Sequence, residues 1–578
     1  MLVKSFGSKA VVEASINSAT LRILRNVPGK TKWSGASLIF EPTPDALKYL
    51  QLSVPDIKWS DCIQPALDAA LYLDLHRKAG APVSRPLDFQ FKTKPFEHQL
   101  RLFLMSRDQE AFALFMEQGT GKTKSLLDTA AWQWSQGKID GLLVIAPNGV
   151  HRNWVDNEIP AHLPDWVNHK AAWWKAPSSA GKKHNETWDA AAHHDGLSIL
   201  CANIETFSHA HIAKLFKGWL GNRRVMTVVD ESTCIKEPTA ACTKNVLKFG
   251  EMSVTRRIAT GTPASEGPLG LYSQFCFLGK DLLGFSDYHS FKKTYAVLSN
   301  LGDKTFERWV FDPTLRRKVK KSEPIQIVVG YRDVDDLNRR IEPLSFRVLK
   351  KDCLDLPEKI YQKWPVEMSD EQKKLYKELK EKLIIEVAGK TITAPMAMTL
   401  MMRHRQLLGG FPGGEALKTN PRLDALLTWA EPFVNTAKAI IWAVFKPEIK
   451  AITAKLQETF GRASTVEYHG DVNNEHRAHA IERFQTNPTC RFFVANQATA
   501  GRGLTLTAAS QVGYYTNDWS FEDRKQSEDR AHRIGQINKV TYTDFHTPGT
   551  VEDRVFDVLR GKAKMSAIIT GDELISWI

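Results

Sequence analysis

The stretch MEQGTGKTKSLLDTAAWQW, residues 116–134, sets a glycine-containing loop directly against the start of an amphipathic helix. Gly119 and Gly121 flank Thr120 and let backbone N–H groups turn inward around phosphate oxygens. The helix N-terminus adds the positive end of its dipole. Lys122 is placed to reach the β- and γ-phosphates, and the Thr123 hydroxyl suits a magnesium ligand. The loop departs from the full eight-residue phosphate-loop pattern, because Met116 stands where a first glycine is common. The rest of the chain decides what frame holds this loop.

Around it, short apolar runs end in polar residues and give way to helical patterns. GLLVIAP (141–147), SILCAN (198–203), RVMTVVDE (224–231) and RRIATGTP (256–263) form one set. KAIIWAVF (438–445), STVEYHG (464–470), RFFVANQ (491–497) and QVGYYTN (511–517) form a second. Continuous apolar runs of this length, alternating with helices, predict parallel strands buried on both faces. Two sets predict two α/β domains, with ligands gathered at the carboxyl ends of the strands.

A chain of 578 residues is too long for one core. The reading divides it into an accessory domain at 1–90, a first lobe at 91–300, a helical insertion at 301–420 and a second lobe at 421–578. In the first part, VVEASI and SLIF read as strands and PDALKYLQL as helix, with a further helical pattern ending near Gly80. PVSRPLDFQFKTKP is a proline-punctuated linker. Between the lobes, DEQKKLYKELKEKLIIEVAG and MAMTLMMRHRQLL carry helical patterning, while LRRKVKKSEP (315–324) reads as a solvated basic loop.

A second chemical element lies in TVVDESTCIK (227–236), which ends an apolar run on Asp230 and Glu231. Magnesium prefers carboxylate oxygens and keeps several waters, so Asp230 would hold such an ion through water. Glu231 would then orient or deprotonate an attacking water. Near the C-terminus, QSEDRAHRIGQ (526–536) puts Arg530 and Arg533 three positions apart, a spacing that places both guanidinium groups on one face of a helix.

Composition narrows the setting. The 78 Lys and Arg against 65 Asp and Glu leave a formal charge of +13, which favours polyanionic partners, nucleic acid above all. Cys62, Cys201, Cys234, Cys242, Cys276, Cys353 and Cys490 lie scattered without C-x-x-C spacing, against a disulfide framework or a zinc site. The N-terminus MLVKSFGSKAVVEAS lacks a secretory apolar stretch, and the longest apolar runs fall well short of a membrane span. A cytoplasmic (cytosolic or nucleoid) protein with no membrane partner is expected.

The order PFEHQ, GTGKT, VIAP, DEST, ATGTP, a mixed segment, then YHG, AGRGLTL and QSEDRAHRIGQ resembles a superfamily two helicase-type ATPase. More narrowly it resembles the Swi/Snf class of DNA-translocase motors, in a compact bacterial or phage-like form, with Trp519 ahead of the DRAHRIGQ box and a central LPEK…EQKKLY segment. The likeness covers about residues 91 to 565. It implies an α/β fold of two RecA-like parallel-sheet lobes, a helical insertion between them and a small α+β N-terminal domain. It implies ATP and Mg2+ as cofactors, with Gln99 beside Phe96 reading adenine and Gly119, Thr120, Gly121, Lys122 and Thr123 holding the phosphates. Thr123 and Asp230 resemble the metal ligands and Glu231 the water-activating residue. Thr260, Gly261 and Thr262 resemble the segment linking hydrolysis to DNA grip, and Gly501, Gly503 and Thr505 the second-lobe loop touching DNA and nucleotide. Arg530 and Arg533 resemble arginine fingers, so two guanidinium forks would meet the γ-phosphate when the lobes close.

The resemblance implies an ATP-dependent translocase on double-stranded or branched DNA that remodels forks or displaces bound protein. The alternatives are a strand-separating DNA or RNA helicase and an ATPase that recycles RNA polymerase. The basic stretch Arg316–Lys321 and the RHR at 403–405 are expected to add grip on the strand, and Trp519 to serve as a core residue, with stacking on a base as the alternative. The segment departs from the resembled pattern in DEST, which replaces D-E-A-H, in GTPASEG, which lacks an asparagine, and at Thr505. Residues 1–90 share only their placement with the substrate-recognition modules of annealing helicases.

Overall fold

The computed structural model describes residues 89–175, 181–312, 317–389, 394–500 and 504–570, with shorter pieces between residues 2 and 59. Those first pieces are β1 (Leu2–Phe6), β2 (Lys9–Glu13), β3 (Thr31–Ser34), β4 (Ser37–Phe40) and β5 (Lys58–Trp59). They form a mixed sheet in the order β3-β4-β2-β1-β5. β2 and β4 fall where VVEASI and SLIF were expected to be strands; the helices expected beyond them lie outside the described residues.

The first lobe opens with α1 (Glu97–Ser106), β6 (Ala111–Met116) and α2 (Lys122–Ser135). It continues through β7 (Gly141–Ala146), β8 (His169–Trp173), β9 (Leu197–Asn203), β10 (Val225–Asp230) and β11 (Thr255–Ala259). A hairpin of β12 (Ala296–Asp312) and β13 (Arg317–Tyr331) follows, then β14 (Ser345–Val348). The seven-stranded sheet runs β14-β6-β11-β10-β7-β9-β8, and every neighbouring pair is parallel. Alternation along β7 accounts for its unbroken apolar run. Leu143 and Ile145 enter the core on one face, and Leu142, Val144 and Ala146 enter the core on the other.

The second lobe holds β15 (Lys359–Pro365), α3 (Asp370–Gly389), α4 (Ala394–Leu408), β16 (Lys438–Trp442), β17 (Thr465–Tyr468), β18 (Phe492–Ala495) and β19 (Ala509–Tyr514). After these come α5 (Phe521–Glu528), β20 (Val540–His546) and α6 (Val551–Thr570). Its parallel six-stranded sheet runs β15-β20-β19-β16-β18-β17. Ile440 and Trp442 fill one face, Ala439 and Ile441 the other. The fold is therefore α/β with two parallel-sheet lobes.

Three expectations about the region between the lobes need correction. First, residues 301–420 are not uniformly helical: α3 and α4 are present, but the paired strands β12 and β13 occupy 296–312 and 317–331, and the two lobes each take an edge strand, β14 and β15, from this region. The connector between the lobes shrinks to residues 349–358. Edge strands are half-exposed, so β15, KIYQKWP, mixes polar and apolar residues at half-buried and exposed positions instead of showing an apolar run. Second, the basic stretch taken for a loop lies in β13 from Arg317 onward, paired with β12, because strand pairing rather than charge decides its backbone; Arg316 lies outside the described residues. Third, the RHR triplet does not offer a free basic surface. Arg403 is exposed, but His404 and Arg405 are buried, and Arg405 donates to the Asn517 carbonyl and pairs with Asp518 at 3.5 Å. These contacts fasten α4 to the second lobe. Trp519 packs against Phe521, Val555 and Leu559, as a core residue would.

Candidate active site between the lobes

The phosphate loop follows β6 and ends at the first turn of α2, so the sheet delivers it to the carboxyl edge of the strands. Gly119 (φ +82°) and Gly121 (φ +88°) both occupy the left-handed region, where a side chain would be strained. At Gly121 a Cβ would also lie 2.0 Å from Gln99 Nε2. Gln99 Nε2 donates to the Thr120 carbonyl at 3.1 Å, and its Oε1 accepts the Phe96 backbone N–H at 3.0 Å. His98 Nε2 donates to the same carbonyl at 2.8 Å. Gln99 thus braces the loop from behind, while the Phe96 ring, 49% exposed, stacks on His98 beside the cleft. Lys122 Nζ donates to the Met116 carbonyl at 3.1 Å and lies across the cradle.

Asp230 closes β10 and is buried. It accepts the indole N–H of Trp154 at 2.9 Å and the Glu231 backbone N–H at 3.0 Å. Burial, together with the neighbouring Glu231 carboxylate, pushes its carboxyl up to about 6. Glu231 has φ +51°, one of two non-glycine residues with positive φ among the described ones. That turn costs energy for a residue with a Cβ, and it aims the carboxylate into the cleft. There Glu231 accepts from Gln118 Nε2 at 3.2 Å and from the Thr260 hydroxyl at 3.3 Å. Thr260 in turn accepts the Thr262 backbone N–H, which joins the ATGTP turn to the same carboxylate. Gly261 presses against the loop: a Cβ there would meet Gln118 N at 3.3 Å.

Arg530 and Arg533 do not share a helical face. α5 ends at Glu528, and both arginines lie in the irregular turn after it. The turn still points both guanidinium groups toward the phosphate loop of the other lobe. Arg530 donates to the carbonyls of Gln526 and Leu504, each at 2.9 Å, and across the cleft to Gln118 Oε1. Burial and the adjacent Arg533 lower its pKa to about 10, so it remains a cation at neutral pH. Arg533 donates to the Leu504 carbonyl at 3.4 Å, and its Cγ sits where a Gly119 side chain would go. Thr505 lines the cleft, while Gly501 and Gly503 lie outside the described residues.

Charged groups that no local pattern marks hold the lobes together around this point. Glu117, in the loop, pairs with Lys525 of α5 at 2.7 Å and accepts the Lys350 backbone N–H at 2.8 Å. The Lys350 ammonium pairs with Asp529 at 2.7 Å and donates to the His532 carbonyl at 2.9 Å. Lys359, at the other end of the connector, also reaches Asp529, at 3.4 Å. Burial lowers Lys350 to about 8, against the pull of Asp529, and the two lysines hold Asp529 well below the usual carboxylate range despite its burial. Burial raises Glu117 but Lys525 outweighs it, leaving its carboxyl at about 2 against an ordinary 4.5. A depressed carboxyl contributes stability that is complete above pH about 4.5 and disappears as pH falls toward 2, up to about 3 kcal/mol. Glu117→Gln should therefore flatten the acid limb of the melting-temperature profile in that window; an unchanged limb would mean the Glu117–Lys525 contact contributes nothing.

Gln99, Gly119, Gly121, Lys122, Thr123, Asp230 and Glu231 from the first lobe line one cleft of about 750 Å³. Thr505, Asp529, Arg530 and Arg533 line it from the second. Sequence reasoning missed Gln118 and Trp154, which touch the acidic pair directly. Gln118 stands inside the quoted loop, but no spacing rule marks it. Trp154 follows β7 in a segment with no motif of its own.

Comparison with known proteins places the chain in a family. Residues 96–409 match the SNF2-related domain and residues 423–535 the helicase conserved C-terminal domain. The DNA annealing helicase and endonuclease ZRANB3 of Mus musculus is 24% identical over 492 residues, 83% of this chain and 41% of that protein. The TATA-binding protein-associated factor mot1 of Aspergillus fumigatus is 25% identical over 393 residues, 60% of this chain and 20% of that protein. The chain thus spans well under half the length of either relative. Among solved structures, the Sulfolobus solfataricus SWI2/SNF2 ATPase core in complex with dsDNA is 22% identical, covering 85% of this chain and 96% of its own, with a TM-score of 0.36. Since the first domain match takes in more than half of the residues and the second covers most of the other lobe, the chain belongs to the SNF2-related family of superfamily two helicase-like ATPases.

Proposed function

We propose that this chain hydrolyses ATP in the interlobe cleft in response to DNA and uses the cycle to move along duplex DNA, remodelling forks or branches or displacing bound protein. The observation that carries this reading is the meeting of the phosphate loop from one lobe with the Arg530 and Arg533 turn from the other around a single cleft. Loop N–H groups and Lys122 bind the phosphates. Thr123 and Asp230 offer hard oxygen donors on the same cleft, which suits a magnesium ion that keeps most of its waters. The raised Asp230 carboxyl marks a place where a cation would be welcome. When bound, that ion neutralises charge on the β- and γ-phosphate oxygens. Glu231, held by Gln118 and Thr260, accepts the proton of the attacking water. Arg530 and Arg533 stabilise the negative charge spread over the transferring phosphoryl group.

The DNA half of the reading is supported by the basic surplus of the chain and by a relative named as a DNA annealing helicase. Phosphate-backbone contacts would make binding insensitive to sequence and steeply dependent on salt. The deciding experiment is ATP hydrolysis measured side by side with duplex, single-stranded and forked DNA and with RNA. Stimulation by duplex or forked DNA above the other two is expected; a rate indifferent to all four would sink the proposal. A strand-displacement assay separates translocation from unwinding, since a duplex translocase leaves an annealed strand in place. In the same series Lys122→Ala should weaken nucleotide binding by about 10- to 150-fold, the worth of a charge-assisted contact. Unchanged affinity for a fluorescent ATP analogue would remove Lys122 from the phosphate site.

A further inference from the structure

DEST departs from the commoner D-E-A-H at its third and fourth positions, and the structure gives each replacement a partner. Ser232 donates to Gln274 Oε1 at 2.7 Å within the first lobe. Thr233 instead reaches across the cleft and donates to Glu522 Oε1, on α5 of the second lobe, at 2.7 Å. The other oxygen of Glu522 accepts the Ser265 hydroxyl at 3.3 Å, from the turn that follows ATGTP. Thr233, Ser265 and Glu522 are all buried. One carboxylate thus receives a hydroxyl from each of the two first-lobe turns that flank Glu231.

The contact continues toward the arginines. Gln526, one helical turn further along α5, donates its Nε2 to Glu522 Oε1 at 3.1 Å. The Gln526 carbonyl accepts Nε of Arg530, which donates to Gln118, and Gln118 donates to Glu231. Glu231 and Thr233 belong to the same turn. Hydrogen bonds therefore run through both lobes from Glu231 to Gln118, Arg530, Gln526, Glu522 and Thr233, and the backbone of the DEST turn closes the ring back to Glu231. A ring of this kind is satisfied only when the lobes stand in one register, because opening the cleft leaves a buried carboxylate without two of its donors.

We propose that Glu522 is a positioning residue that locks the DEST and GTPAS turns to the helix leading into the arginine-bearing turn, so that Glu231 and Arg530 reach working geometry together. The inference rests on the ATPase reading above. Glu522 is not among the residues lining the cleft, so it acts through others, without touching the nucleotide.

The test is a double-mutant cycle on the full chain with Thr233→Val, Glu522→Ala and the pair, plus Ser265→Ala. Thr233→Val keeps the shape of the side chain and removes only the donor. Each of the first two should lower DNA-stimulated kcat by about 10- to 100-fold, the worth of a hydrogen bond to a charged group, with nucleotide Kd within about twofold of the parent. The pair should be no worse than the worse single variant, because both remove the same contact. Ser265→Ala should show a smaller loss of kcat in the same direction. Small-angle scattering supplies a readout independent of hydrolysis: the contraction that the parent undergoes with a non-hydrolysable ATP analogue should shrink in Thr233→Val and Glu522→Ala alike. Additive losses in the cycle, or parental kcat and parental contraction in Thr233→Val, would overturn the role of Glu522. A parent that hydrolyses nothing would defeat the ATPase reading instead, and the scattering comparison would still decide the lock.

Discussion

Glu231→Gln is expected to bind ATP and DNA as the parent does and to hydrolyse almost nothing. The substitution keeps the shape of the side chain and removes its capacity to take a proton from water. Loss of a positioned general base costs about 10² to 10⁴ in rate. The surroundings of Glu231 make the fold tolerant of the change. Gln118 Nε2 and the Thr260 hydroxyl each donate to one of its oxygens. The amide keeps one acceptor, and the hydroxyl of Thr260 can rotate to accept where it formerly donated. Asp230 supplies no substitute base, because in the proposed reading its carboxylate would be engaged with the cation. Single-turnover hydrolysis with saturating duplex DNA, alongside nucleotide affinity, checks the outcome. Hydrolysis at the parent rate would take Glu231 out of the chemistry, whereas lost nucleotide affinity would mean that it shapes the loop instead.

What could be read in the sequence follows a physical line. The inner strands β7, β9, β10, β11, β16, β18 and β19 are covered on both faces and announce themselves as apolar runs, and the edge strand β17 does so as well. The edge strands β8, β14 and β15 and the inner strand β20 show no such run, and β14 and β15 lie in a region that reads as helical. β6, AFALFM, is an apolar run of the same kind that the two sets leave out. The loop and the acidic pair are legible because their chemistry is local: each ligand set comes from a few consecutive residues. The contacts between lobes are not local. Thr233 and Glu522 stand 289 positions apart, and nothing near either residue points to the other. The R-x-x-R spacing carried the right consequence from the wrong premise. Three positions bring two side chains to one side in a helix, and in the turn after α5 they also converge, but on a backbone that no helix holds.

That turn makes the second large effect specific. Arg530→Ala and Arg533→Ala are both expected to leave nucleotide binding by the first lobe nearly intact and to cut DNA-stimulated turnover by about 10³ to 10⁵. A loss of that size corresponds to about 4 to 7 kcal/mol of transition-state stabilisation. A surface ion pair contributes only about 0 to 1 kcal/mol, so the two roles cannot be confused even with sizeable experimental error. The two arginines differ in what else they do. Arg530 is buried and holds Gln118, Gln526 and Leu504, so its loss also loosens the grip on Glu231. Arg533 lies against Gly119, where its guanidinium can follow a phosphate as the cleft fills. Arg533→Ala therefore gives the cleaner reading of phosphate contact, and it should bind duplex DNA as the parent does. Lysine at 533 should rescue poorly, because a point charge cannot make the planar forked contact with phosphate oxygens. Turnover, nucleotide Kd and DNA affinity measured on Arg530→Ala, Arg533→Ala and Arg533→Lys decide the matter. If all three turned over within a few-fold of the parent, the arginines would not reach the phosphate, and the cleft between the lobes would no longer account for hydrolysis.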